Sequence, residues 1–240
     1  SKATLIAGLI SIGFVLIYSY YFWGWTYDDA FINLRYARNF LDGHGFVFNA
    51  GERVEGYTSF LWLIIVTIGE KISHPVVFSK IAGLFFSVST LLLMLIFSPK
   101  VLHISRKTAA VATVLTAITG VYNPWPVSGV ETSLFTFILL LSILLYHSID
   151  FHNYIRQSIF TGLTLALLTM TRPEGIFITV IFVAHQVLFH RSQQSLKIAG
   201  LITASFLTIF LPYYTWRLAF YGFPFPNPFY ANVGPRLTHI

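Results

Sequence analysis

Apolar runs separated by short polar breaks occupy most of this chain, at residues 5–23, 76–97, 108–121, 133–149, 159–170, 176–189 and 196–214. A helix needs about 20 mostly apolar residues to cross a bilayer. The pattern therefore predicts an all-α integral membrane protein with about seven transmembrane helices. An eighth apolar piece, residues 60–69, has only half that length and reads as an interfacial or re-entrant segment packed against the bundle. The run at 5–23 is too long for the core of a signal peptide, and no small-residue cleavage site follows it, so it reads as a retained span.

The polar breaks differ in charge. The short loops near 98–107, 150–158 and 190–197 carry six Lys or Arg residues, whereas those at 120–132 and 171–175 carry one. Basic residues accumulate on the cytoplasmic side, which places the first set inside and the second outside. The long loop from Gly24 and the tail at 220–232 then also fall outside, and with them seven of the nine carboxylates. Ionisable groups beside hydrocarbon are costly and mark function, so their gathering on one side predicts a single active cavity there.

Composition agrees with this class. Hydrophobic residues make up 55% of the chain and charged residues 10%, against about 25% charged in soluble domains. The net charge of +6 comes from scattered Lys and Arg, with no basic block to engage nucleic acid. There is no cysteine, hence no disulfide and no thiolate metal site.

The stretch 27–61, YDDAFINLRYARNFLDGHGFVFNAGERVEGYTSFL, holds five of the nine carboxylates. Within it, residues 28–42 have a helical period that sets Phe31, Leu34, Ala37 and Leu41 on one face and Asp28, Arg35, Asn39 and Asp42 on the other. Such a helix lies on the membrane with its acids at the water boundary, and the turn Gly43-His44-Gly45 ends it. One acid at its start would serve as a cap; the adjacent pair Asp28 and Asp29 exceeds that need. A carboxylate there can take the proton from an acceptor hydroxyl while a sugar leaves a phosphate-linked lipid. Arg35, Arg38, Arg53 and Arg172 are the cations available to the leaving phosphate. Asp28 is the preferred base, because it shares the polar face with Arg35 and Asn39 while Asp29 points about 100° away.

The same residues carry a resemblance. Asp28-Asp29, Arg35-Tyr36-Ala37-Arg38, Gly43-His44-Gly45 and Val54-Glu55-Gly56-Tyr57-Thr58 are followed by Gly129-Val130-Glu131-Thr132, Arg172-Pro173-Glu174-Gly175 and Pro226-Asn227-Pro228-Phe229-Tyr230-Ala231. In this order they resemble the GT-C superfamily of bacterial membrane glycosyltransferases, and most closely its arabinofuranosyltransferase group. The resemblance implies a GT-C-like transmembrane catalytic domain over residues 1–240, the N-terminal part of a longer protein, with residues 24–75 as its outer loop with juxtamembrane helices. It also implies a polyprenyl-phosphate sugar donor, arabinofuranose being one candidate sugar, and a glycan or protein hydroxyl as acceptor. Transfer would be an inverting single displacement with Asp28 or Asp29 as base, on the periplasmic face of a bacterial inner membrane. Glu131, Arg172, Glu174, Arg35, Arg38, His44, Glu55, Tyr57, Asn227 and Tyr230 are the substrate-binding candidates. Where the family segment often ends in a basic residue, this chain has Asn232.

Metal and alternative functions are weighed on the residues. No two histidines have zinc-ligand spacing, although Asp28 and Asp29 could hold a divalent cation through oxygen. No other cofactor is expected. A transporter would carry ionisable residues at mid-span or repeated halves, and this sequence has almost no charge at mid-span and no repeat. A non-catalytic subunit of cell-envelope glycan assembly is the other alternative, separable from an enzyme by the loss of transfer on replacing single acids.

Overall fold

The computed structural model describes residues 2–190 and 192–233. All regular structure among them is helical: α1 (Lys2–Tyr21), α2 (Asp28–Leu41), α3 (Phe60–Ile72), α4 (Pro75–Leu92), α5 (Ser98–Val101), α6 (Arg106–Ile118), α7 (Thr132–His147), α8 (Ile155–Thr171), α9 (Gly175–His190), α10 (Gln193–Tyr221) and α11 (Asn227–Val233). Each apolar run of the sequence forms the body of one of these helices. Three stretches, Thr4–Tyr21, Pro75–Val101 and Gln193–Tyr221, are long and apolar enough to cross a membrane, and Thr132–His147 and Gly175–His190 are shorter apolar helices. The chain is thus an all-α membrane protein.

The loops expected on one face do come together. The Tyr27 amide donates to the Ser128 carbonyl, and the Asn227 amide to the Glu55 carbonyl. The Trp62 indole donates to the Gly129 carbonyl at 3.0 Å. The opposite end gathers the basic loops, where Tyr146 Oη lies 2.5 Å from His185 Nδ1 and the Gln194 amide reaches the Phe151 carbonyl.

α3 stands apart from the alternation of long helices. Its start is fixed beside the Gly129 loop by Trp62. Its end turns at once into α4, whose Ser79 also lies against Gly129, while Phe78 fills the notch over Gly69. α3 and the start of α4 are thus both packed beside the Gly129 loop. It runs beside α2, with Ser59 donating to Asn33 and Arg38 to Glu70.

Local chemistry explains the helix ends. Lys80 is buried, and its ammonium donates to the carbonyls of Trp23 and Trp25 at 2.5 and 2.6 Å. A cation just past the C-terminus of α1 meets the negative end of that helix. After α4 the helix widens into a π turn at Leu93–Phe97, just ahead of Pro99. A proline ring clashes with the carbonyl four residues earlier, and the wider turn gives it room. Gly43 (φ +87°) stops α2 in a left-handed conformation that other residues rarely adopt.

Two expectations need correction. The run at 196–214 ends too early: α10 continues to Tyr221 through Pro212 and stops at Gly222, φ 80°. Proline is tolerated inside membrane helices where neighbours take up the freed carbonyl. The face assignment of α2 also changes. Asn39 is buried and Phe31 exposed, because the Asn39 amide donates to the carbonyls of Val47 and Phe48, both at 2.8 Å. Satisfying the backbone of the folded-back loop decides that orientation, and polarity alone does not.

The main core joins α2, α3, α7, α8 and α10 around Tyr36, Trp62, Leu134, Leu165 and Ile202, while α1 packs on α4 and α6 around Val15, Leu91 and Ala117. The tightest seam is α8 on α10. A Cβ on Gly162 would sit 2.0 Å from Ser205 Oγ and 2.3 Å from the Ile202 carbonyl oxygen, whereas one on Gly200 meets nothing within 4 Å. Small residues allow membrane helices this close approach. Gly162→Ala is therefore expected to lower stability in detergent by about 1–3 kcal/mol, while Gly200→Ala leaves it unchanged or raises it by up to about 1 kcal/mol. Thermal midpoints of the two variants check the seam; equal midpoints would refute it.

Candidate active site

The first outer loop is anchored before it offers any chemistry. Tyr36 Oη donates to the Val54 carbonyl at 2.6 Å and accepts the Gly56 amide at 2.7 Å. The ring belongs to α2, so the segment 54–58 is pinned across that helix. Tyr57 is buried, its hydroxyl 3.0 Å from that of Tyr221, and burial pushes its pKa well up. Tyr221 in turn donates to the Phe46 carbonyl at 2.7 Å.

Asp28 and Asp29 occupy the first turn of α2, with Tyr27 at the cap position and no side-chain cap there. Asp28 Oδ1 accepts the Asp29 amide at 3.0 Å, so Asp28 satisfies one of the open amides of the helix start. The Asp29 carboxylate is exposed and has no hydrogen-bond partner among the described residues. The preference for Asp28 loses its ground, because Asn39 is buried and Arg35 donates to the Phe48 carbonyl at 3.1 Å.

Glu131 precedes α7 without a side-chain bond to its first turn. It points instead at Arg172, with Nε and Oε1 3.2 Å apart. Burial raises the Glu131 pKa most; its own amide and Arg172 oppose this, and the charges of Asp29 and Glu174 add to the rise. Four motif residues from three distant segments therefore share one electrostatic neighbourhood: Asp29, Glu131, Arg172 and Glu174. Arg172 ends α8 in extended conformation and remains half-exposed, able to meet an anion.

The second assembly is one that sequence reasoning half missed. Glu55 and Arg217 are both buried, at 5% and 4% exposure. Arg217 Nε donates to Glu55 Oε1 at 2.8 Å, and Nη1 to the Pro224 carbonyl at 2.8 Å. The other arm, Nη2 to Oε2 at 2.6 Å, is a close ion contact without hydrogen-bond alignment. Burial raises the Glu55 pKa, against the opposing effect of Arg217. The pair borders a cavity of about 140 Å³ that reaches Thr58, Thr169 and Pro173, next to Arg172. Arg217 escaped notice because the last span was ended at 214. A lone arginine in an aromatic helix segment was the available signal, since such a charge is costly without a role.

The other candidates have different partners. Arg38 pairs with Glu70 at 2.7 Å. His44 is exposed in the turn, its amide bonded to the Asn39 carbonyl. Arg53 stacks over the Phe220 ring, 4.9 Å from its centroid. Asn227 and Tyr230 line a cavity with Glu55. Among the described residues, no group of three His, Asp or Glu side chains is placed to hold a metal ion.

Two measurements follow from these pairs. A carboxyl whose pKa is raised by folding holds its proton more tightly in the native state, so stability falls as pH climbs from 4.5 through the raised value. Glu131→Gln should flatten that decline in pH-resolved thermal midpoints, leaving the part due to Glu55. Arg217→Met leaves Glu55 buried without its counter-charge and should cost about 3–5 kcal/mol. Adding Glu55→Gln should recover much of the loss in denaturation; two independent, additive losses would refute the coupling.

Sequence comparison sets these residues in context. No family model matches the chain, and no solved structure matches it. It is 40% identical over 72 residues to a terminal beta-(1->2)-arabinofuranosyltransferase of Mycobacterium tuberculosis, covering 30% of this chain. It is 61% identical over 46 residues to the enzyme of the same name from Corynebacterium glutamicum, covering 17% of this chain. The matches span 12% and 7% of the lengths of those relatives. This partial homology points to the arabinofuranosyltransferase group, and with it to a membrane glycosyltransferase.

Proposed function

We propose that this chain is the GT-C-like catalytic part of a glycosyltransferase that moves a sugar, arabinofuranose being the first candidate, from a polyprenyl-phosphate donor to an acceptor hydroxyl. The observation that carries the reading is the Glu131–Arg172 pair with Asp29 and Glu174 in its field. It combines unpaired acid, buried acid and accessible cation at one end of a membrane bundle. In this reading seven helices cross the inner membrane, α3 lies at its outer surface, and the site faces the periplasm.

The division of labour follows from the partners. Asp29 is the general base: it is exposed and unbonded, whereas Asp28 is engaged with the helix start. Its ionised carboxylate accepts the acceptor proton as the oxygen attacks the anomeric carbon from the side opposite the leaving phosphate. Arg172 receives the charge that develops on that phosphate; a guanidinium binds phosphate oxygens through two parallel N–H groups. Glu131, shielded from water and holding Arg172, orients that cation and meets the sugar hydroxyls. A metal is not required for these steps, although the aspartates could admit a divalent cation.

General-base catalysis contributes typically about 10²–10⁴-fold, so Asp29→Asn should lower kcat by that factor with donor KM little changed. Asp28→Asn should cost less, mainly through helix stability. Arg172→Ala should raise donor KM by about tenfold, one charge-assisted contact being lost. The assay is release of prenyl phosphate from prenyl-phosphate sugars in the presence of acceptor; a wild-type protein inert to a broad donor panel would refute the catalytic reading. For topology, Asn49→Cys is expected to react with an impermeant thiol reagent outside intact cells and Lys107→Cys to remain unlabelled. The opposite pattern would invert the bundle.

A further inference from the structure

Beside the Glu55–Arg217 pair, away from Pro173, lies another cavity of about 380 Å³ bordered by Arg53, Glu55, Phe223, Phe225, Asn227 and Tyr230. We propose that this cavity seats a sugar ring of the acceptor glycan, a proposal that rests on the glycosyltransferase reading above. Its volume lies within the roughly 300–1,000 Å³ of small-ligand sites.

The lining has the two qualities a saccharide demands. A sugar ring presents an apolar C–H face and an edge of hydroxyls, each of which both donates and accepts. Phe223 and Phe225 are 63% and 51% exposed, and their ring faces supply the apolar, electron-rich surface that C–H groups favour. The hydroxyl edge finds Asn227, whose amide both donates and accepts, and the Tyr230 hydroxyl. Neither side chain has a hydrogen-bond partner among the described residues. The Arg53 guanidinium has a ring beneath it and no carboxylate partner among the described residues. Glu55 is buried, and its Oε2 lacks an aligned hydrogen bond. Three polar side chains, Arg53, Asn227 and Tyr230, thus border one space without a polar side-chain partner among the described residues, and an apolar prenyl chain would satisfy none of them.

Position favours the acceptor over the donor. Glu55 borders both this cavity and the smaller one that reaches Pro173. An oligosaccharide lying in the larger cavity has its next residue directed over Glu55 toward Arg172 and Glu131. The backbone bond from Asn227 to the Glu55 carbonyl, at 2.9 Å, keeps the two walls in register.

The test titrates full-length protein in nanodiscs with a linear oligoarabinofuranoside, followed by saturation-transfer NMR, for wild type, Asn227→Ala and Tyr230→Leu. Asn227 is exposed and Tyr230 partly so, which leaves the fold intact on substitution. Saturable binding to wild type is expected, weakened by about tenfold in each variant. In transfer assays acceptor KM should rise by a similar factor, with donor KM held within about twofold. Absent wild-type binding, or binding unchanged in both variants, would overturn the proposal. So would a rise in donor KM with acceptor KM fixed, which gives the cavity to the donor. Saturable, variant-sensitive binding by a protein that transfers no sugar would remove the catalytic reading and leave the saccharide cavity standing.

Discussion

Glu55 and Arg217, 162 positions apart, meet at the end of the bundle that gathers the motif residues, and Glu55 borders both cavities there. Removing two opposite charges from water consumes most of what their attraction returns, so such a pair adds little net stability over an apolar one. What it supplies is register. The contact ties the segment 54–58 to α10. The same guanidinium holds the Pro224 carbonyl, so the chain after α10 is set by the same contact. Tyr36, Tyr57 and Tyr221 extend the lock through hydroxyl bonds that end on backbone carbonyls.

Around Arg172 the electrostatics are deliberately unbalanced. One half-exposed cation faces Glu131 directly and has Asp29 and Glu174 within electrostatic range. The three acids outnumber the one cation, so the neighbourhood carries an acidic surplus. Burial already raises the Glu131 pKa, and each neighbouring acid raises it further. Glu131 is thus the member of the cluster that registers the charge of its neighbours.

Much of this was legible in the sequence, and the reasons differ by feature. Apolar runs mark helices because a bilayer leaves the backbone no partner but itself, so α1, α4 and α6 to α10 appear where hydropathy puts them. The shortness of 60–69 matches a helix of only 13 residues, and charge bias grouped the loops that the hydrogen bonds bring together. Helix faces were less legible. Asn39 is polar and buried, because two carbonyls of a returning loop need its amide, and no periodicity carries that information. The role of Lys80 was hidden likewise, since its partners are backbone carbonyls at the end of another helix. Asp28 and Asp29 look equivalent in sequence; only the bond from the Asp29 amide to Asp28 separates them.

α10 has 29 residues, and at 1.5 Å per residue it measures about 43 Å. A hydrocarbon core is about 30 Å thick, so roughly 13 Å of this helix is surplus. The last turns carry Arg217 and Tyr221, which bond to Glu55 and the Phe46 carbonyl in the segment between α2 and α3, and Arg217 also holds the Pro224 carbonyl beyond the helix. That segment and the tail are thus rigged to the last turns of α10 like stays to a mast. Whatever sets the height of those turns sets the height of both with them.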